Sequence, residues 1–139
     1  MSYEEKGTWA YLVTGVAVWL GYVVVLVGRA DGRPLHEVDF VAPLLWAIGL
    51  SVLANVLGRV VAEVIRPSES HQVDVRDREV ARFGDYVGGV VLSVLAAGVL
   101  VLALVEADHF WIANAIYLAF VVQVVVSSVV RLVAYRRGL

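Results

Sequence analysis

The chain has no cysteine and, across 139 residues, only three prolines, one methionine and 17% charged residues. The missing cysteine excludes thiol nucleophiles, disulfides and cysteine-ligated metal centres, and leaves the redox compartment open. The shortage of charge, set against 60% hydrophobic residues, excludes an ordinary water-soluble domain. Such a domain is roughly 45–50% apolar and about 25% charged, and a chain this short buries only about two-thirds of its surface. The solvent left for the remaining apolar surface is lipid. Net charge is −2, too near zero to argue for nucleic acid as a partner. There is no glycine-rich phosphate loop, no paired-histidine metalloprotease spacing and no Ser-His-Asp order. None of His36, His71 and His109 lies deep in an apolar run, so a haem held by helix histidines is unsupported. The expectation is a protein without cofactor or metal that is not an enzyme.

What the chain does have is four uncharged runs: 7–28, 40–58, 86–105 and 110–130, of 22, 19, 20 and 21 residues. Crossing about 30 Å of hydrocarbon takes a helix of roughly 20 residues. The second run continues in apolar residues past Arg59 to Ile65. The runs are rich in valine, a strand former in water. A membrane-barrel strand, however, is about ten residues long and alternates apolar with polar, and here most positions have apolar neighbours on both sides. In lipid the backbone must satisfy itself, so helix wins over propensity. The reading is an all-α integral membrane protein: one domain, 1–139, with a four-helix bundle of transmembrane spans at about 8–28, 40–65, 85–105 and 110–132. Residues 1–6 carry Glu4 and Glu5 and lack the basic start of a removable signal peptide, so the first span is expected to be retained.

Eight Lys and Arg (Lys6, Arg66, Arg76, Arg78, Arg82, Arg131, Arg136, Arg137) fall on one side of these spans and two (Arg29, Arg33) on the other. The positive-inside rule then puts both termini and the 66–85 loop in the cytoplasm of a multi-pass cell-membrane protein. Trp9, Tyr86, Phe110, Trp111 and Tyr135 sit near span ends, as interfacial aromatics do. The halves also look alike. Arg29-Ala30-Asp31 and Glu106-Ala107-Asp108 close the first and third spans 77 residues apart, and Gly21 and Gly98 share that offset. Arg59-Val60-Val61-Ala62 matches Arg131-Leu132-Val133-Ala134 at an offset of 72. Two tandem parallel hairpins would produce this; so would coincidence among Val, Ala, Leu and Gly.

Three features stand out as candidate sites. In the second span Ser51, Asn55, Arg59 and Glu63 recur every four residues, and in the fourth Gln123, Ser127 and Arg131 do the same. That spacing lines each set along one helix face, and intramembrane polar residues face a protein interior or a cavity. They either bond helices together or line a polar path. Arg59 and Glu63 are spaced as a helical ion pair. Second, Gly84, Gly88 and Gly89 form a small-residue face that brings helix backbones close, within the monomer or at a homodimer seam. Third, Asp74, Arg76, Asp77, Arg78, Glu79 and Arg82 mark an amphipathic cytoplasmic helix leading into the third span, with Val80, Phe83 and Val87 as its apolar stripe. It reads as a solvated helix or as a docking surface for a cytoplasmic protein or lipid head groups. The outer-side group of Asp31, His36, Glu37, Asp39, Glu106, Asp108 and His109 lacks metal-binding spacing.

The stretches Met1 to Trp9, Arg76 to Gly88 and Phe110 to Phe120 resemble a family of small four-span actinobacterial membrane proteins. The resemblance covers nearly the whole chain. That family has no assigned activity; it is similar to short membrane proteins often encoded beside helix-turn-helix regulators, which implies a signalling or regulatory role and carries over no functional residue. The small multidrug transporters are equally short, but they carry a glutamate in the first span, where residues 7–28 have no acid. The functional expectation is a non-enzymatic sensor or partner-binding module acting through segment 66–85, in contact with the bilayer, a second copy or a cytoplasmic protein. The alternative is a small transporter or channel whose path runs between the second and fourth spans.

Overall fold

A computed structural model describes residues 3–65 and 75–138, apart from the side chains of residues 3, 62, 63 and 65. It is all helical. Helix α1 spans Tyr3–Ala30, α2 Val41–Ile65, α3 Val75–Leu104 and α4 His109–Arg137, with a short 3-10 turn at Leu35–Glu37. All four are long and apolar enough to cross a membrane. The amphipathic segment and the third span are one helix: α3 runs unbroken through both.

The helix ends follow from local chemistry. Glu4 and Glu5 lie in the first turn of α1 and Arg29 in its last, each matching the helix dipole. Asp31 and Gly32 then take positive φ, and the Arg33 guanidinium donates to the carbonyls of Arg29 and Ala30. Helix α3 ends in a Schellman turn, with Ala107 N–H bonded to Leu102 and Glu106 N–H to Ala103. Glu106 occupies the left-handed position, φ 57°, where glycine is usual. Asp108 caps α4, its carboxylate accepting from the Phe110 N–H at 2.9 Å, and Gly138 closes that helix at φ 71°.

Among the described residues, extended packing joins α1 with α2, α1 with α4, and α3 with α4. The helices therefore lie in the order α2, α1, α4, α3, with α2 and α3 at the two ends. Among the described residues, the end helices α2 and α3 share no extended packing. Consecutive helices pack as α1 with α2 and as α3 with α4, and the two pairs differ. At the loop end, Tyr22, Leu26, Ala30, Val38, Phe40, Ala47, Phe110 and Tyr117 form a core cluster from α1, α2, α4 and the 33–40 loop, with no residue of α3. Helix α3 is instead held on α4 nearer the opposite end, by glycines. Outward faces stay apolar, as at Trp46 (73% exposed) and Val94 (67%); they suit lipid, whose hydrocarbon solvates them as well as a core would.

The Phe40 and Phe110 rings meet edge to face with centroids 5.0 Å apart, which sets α2 and α4 level. At about 1.5 Å per residue, Arg59 lies about 27 Å along α2 from Val41, and Arg131 about 32 Å along α4 from Phe110. Asp85 lies about 29 Å from Leu104 on α3, and Trp9 about 32 Å from Ala30 on α1. These four residues mark one edge of a slab that matches the roughly 30 Å hydrocarbon core. Helix α3, at 30 residues, is longer than the slab by about ten residues, or about 15 Å. That excess, together with the end of α4, projects as a foot.

Candidate functional site

The best-defined polar arrangement lies where α3 and α4 enter the foot. Val80, Gly84 and Gly88 recur every four residues and are the buried residues of α3. Against them lie Gln123, Ser127 and Arg131, with the same spacing on α4. A Cβ placed on Gly84 would lie 2.5 Å from Arg131 Cγ and 3.1 Å from the Ser127 carbonyl oxygen; one on Gly88 would lie 3.0 Å from Ser127 Cβ and 3.1 Å from Gln123 Nε2. Glycine admits these approaches as they stand, and any side chain would require the neighbouring groups to shift. Gly89, one residue on, has nothing within 4 Å. The close packing expected of this glycine face is thus made within one chain at Gly84 and Gly88, and only Gly89 stays open.

Arg131 lays its stem across Gly84 and pairs with Asp85 of α3. The side chain of Arg131 is 25% exposed and that of Asp85 64%, so the pair sits at the slab edge with one side in polar surroundings. Among the described residues the buried Arg131 Nε has no hydrogen-bond partner. One turn further, Tyr135 lies within electrostatic reach of Asp77, Glu4, Arg131 and Arg76. In the sequence Asp85 stands only as one of the acids interleaved with the arginines of this segment, although it adjoins Gly84 and has the charge that Arg131 needs.

The other predicted sites fall as follows. Ser51 and Asn55 are half-buried and bonded locally, Asn55 Nδ2 to the Ser51 carbonyl at 2.7 Å; Arg59 is exposed. The Glu63 side chain and all of 66–74, including Asp74, lie outside the described residues, and with them the expected Arg59–Glu63 pair. The second-span and fourth-span polar faces are not brought together, because Gln123, Ser127 and Arg131 face α3, which does not pack on α2. In the foot, Arg76, Arg78, Glu79 and Arg82 are exposed and Asp77 half-buried. The apolar stripe differs from its expected form. Val80 is buried, but Phe83 is 57% exposed, because Gly84 rather than Phe83 meets α4.

A second polar cluster was missed from sequence altogether. The Tyr22 hydroxyl donates to Asn114 Oδ1 at 2.5 Å, and Asn114 Nδ2 donates to the Phe110 carbonyl at 2.9 Å. Tyr117 meets the Tyr22 ring edge to face at 5.5 Å, and its buried hydroxyl has no partner among the described residues. Isolated Tyr and Asn at similar depth in neighbouring spans were the available signal. Among the described residues no three His, Asp or Glu side chains come together as a metal site would need.

No family model, curated protein or solved structure matches this chain. The likeness to the four-span family therefore stands on the quoted motifs alone, and no role is transferred to any residue.

Proposed function

We propose that this is a non-enzymatic protein of the cell membrane, with both termini and the foot in the cytoplasm, that serves as a regulatory module by binding a partner through the foot. One observation carries the reading. The extension of α3 is braced on α4 through Val80, Gly84 and the Asp85–Arg131 pair, while Arg78, Glu79, Arg82 and Phe83 remain exposed. A helix fixed on one face and charged on the other suits recognition, because little ordering cost is left for binding. The 8-to-2 bias of Lys and Arg supports the orientation.

The test is a photo-crosslinking residue introduced in intact cells at Glu79, with Val94 on the lipid-facing side of the same helix as the control. A discrete protein adduct from position 79 alone supports the reading. No adduct at 79, or the same adducts from both positions, overturns it.

A further inference from the structure

The lipid-facing side of α3 has an ordered sequence of side chains where it leaves the slab. Val94 and Val90 are apolar and exposed, Tyr86 (70% exposed) and Phe83 follow, and then Arg82 and Arg78. With Asp85 at the slab edge, Arg82 stands about 4–5 Å and Arg78 about 10 Å beyond it along the helix. The head-group layer is about 5–7 Å deep on each side, so Arg82 stands within it and Arg78 about 3–5 Å beyond it, a gap that a long arginine side chain can span. The two arginines are four residues apart and share a helix face.

Among the described residues the nearby acids do little to neutralise them; Asp74, four residues before Arg78, lies outside those residues. Asp85, which could reach Arg82 at a spacing of three, is held by Arg131. Asp77 is half-buried on the side near Tyr135. Glu79 is the exposed carboxylate left on this face among the described residues, and neither arginine has an ion pair there. Across the described foot, residues 75–85 and 131–138, six arginines stand against three carboxylates. The neighbouring start of α1 carries Glu4 and Glu5 against Lys6. Among the described residues at this end, the positive charge is therefore concentrated on the α3–α4 foot.

We propose that Arg78 and Arg82, framed by Phe83 and Tyr86, form a binding site for the head group of an anionic phospholipid. The aromatic rings pack beside the upper acyl chains and glycerol, and the guanidinium groups hold the phosphate with charge-assisted hydrogen bonds. This rests on the foot being the working surface, and it names one chemical class that surface recognises. A bound lipid would anchor the foot at the leaflet, so that its presentation to a cytoplasmic partner would depend on membrane composition.

The experiment is native mass spectrometry of the full chain in gentle detergent, titrated with phosphatidylglycerol or with phosphatidylcholine. The first phosphatidylglycerol should bind more tightly than the first phosphatidylcholine. At the attraction expected of one basic residue to an anionic leaflet, each arginine is worth about a five-fold change, so Arg78→Gln with Arg82→Gln should weaken phosphatidylglycerol by about five-fold to thirty-fold. Phosphatidylcholine binding should barely move. Arg78→Lys with Arg82→Lys should keep most of the preference, and Arg136→Gln with Arg137→Gln should keep nearly all of it. The proposal is overturned if the parent shows no preference, if the glutamine pair leaves the preference intact, or if the 136/137 pair removes it equally. Purified protein contains no cytoplasmic partner. A negative result here with a crosslink at Glu79 removes only the lipid site, and a lipid preference without that crosslink removes only the partner reading.

Discussion

Gly84, Gly88 and Gly89 of α3 should respond to the same substitution with opposite signs. In a helix, Gly→Ala brings a propensity gain of up to about 1 kcal/mol, which an open site should realise. Gly89 is open, with nothing within 4 Å, so Gly89→Ala should be neutral or slightly stabilising. At Gly88 the new methyl would lie 3.0 Å from Ser127 Cβ. That atom is fixed to the α4 backbone, so the helices must separate, and overpacking of this kind costs about 1–3 kcal/mol. The net should be a loss of up to about 2 kcal/mol. Gly84→Ala should be worse. Its methyl would meet Arg131 Cγ at 2.5 Å and the Ser127 carbonyl oxygen at 3.1 Å, and moving the Arg131 stem also disturbs the pair with Asp85. Reversible unfolding in mixed micelles, read by far-UV circular dichroism, gives the three free energies. If all three variants fall within about 0.5 kcal/mol of the parent, the range of an uninvolved surface site, the α3–α4 seam is wrongly drawn.

Asp85→Asn should cost up to about 1 kcal/mol, because Asp85 is mostly exposed, and exchanging the charges through Asp85→Arg with Arg131→Asp should recover part of that loss in the same unfolding assay. Tyr22→Phe removes the donor to Asn114 and should cost about 0.6–1.7 kcal/mol. Tyr117→Phe removes a buried hydroxyl that has no partner among the described residues and should leave stability unchanged or raised; equal losses from the two would mean that the Tyr117 hydroxyl has a partner outside them. Glu106→Gly relieves a left-handed conformation and should stabilise by up to about 1 kcal/mol, seen as a higher melting temperature.

The spans were readable because lipid leaves the backbone no outside partner, so length and lack of charge decided helix even for valine-rich runs. Over the described residues, the spacing of Arg76 to Arg82 also pointed to the helix that enters the third span. Helix pairing was much less legible. In water an apolar stripe marks the buried face; in lipid all faces are apolar, and the stripe no longer discriminates. Gln123, Ser127 and Arg131 could have matched the four-residue spacing of Ser51, Asn55 and Arg59 or that of Gly84 and Gly88. What decides is the room that glycine leaves for an arginine stem, together with the acid at Asp85. The repeat shows the same limit. At the 77-residue offset, Gly84, Asp85 and Gly88 correspond to Gly7, Thr8 and Tyr11. The first hairpin thus has neither the glycine pair nor the acid, and the Thr8 hydroxyl instead donates to its own helix at the Glu4 carbonyl. Likeness in sequence between the halves therefore did not bring likeness in packing.

The foot presents a fixed surface only if α3 is held on α4 within one chain, and a disulfide tests that directly. The chain has no cysteine of its own, so Gly88→Cys with Ser127→Cys reports one pair alone. A Cβ at Gly88 would lie 3.0 Å from that of Ser127, close enough for a small adjustment to reach the roughly 3.5–4.5 Å of a disulfide. Oxidation in native membranes should give a crosslink within the monomer, seen on a non-reducing gel as a faster-migrating species of unchanged mass, and Gly89→Cys with Ser127→Cys should give far less. A dimer-sized product from the 88/127 pair, or a crosslink only from the 89/127 pair, would contradict the account.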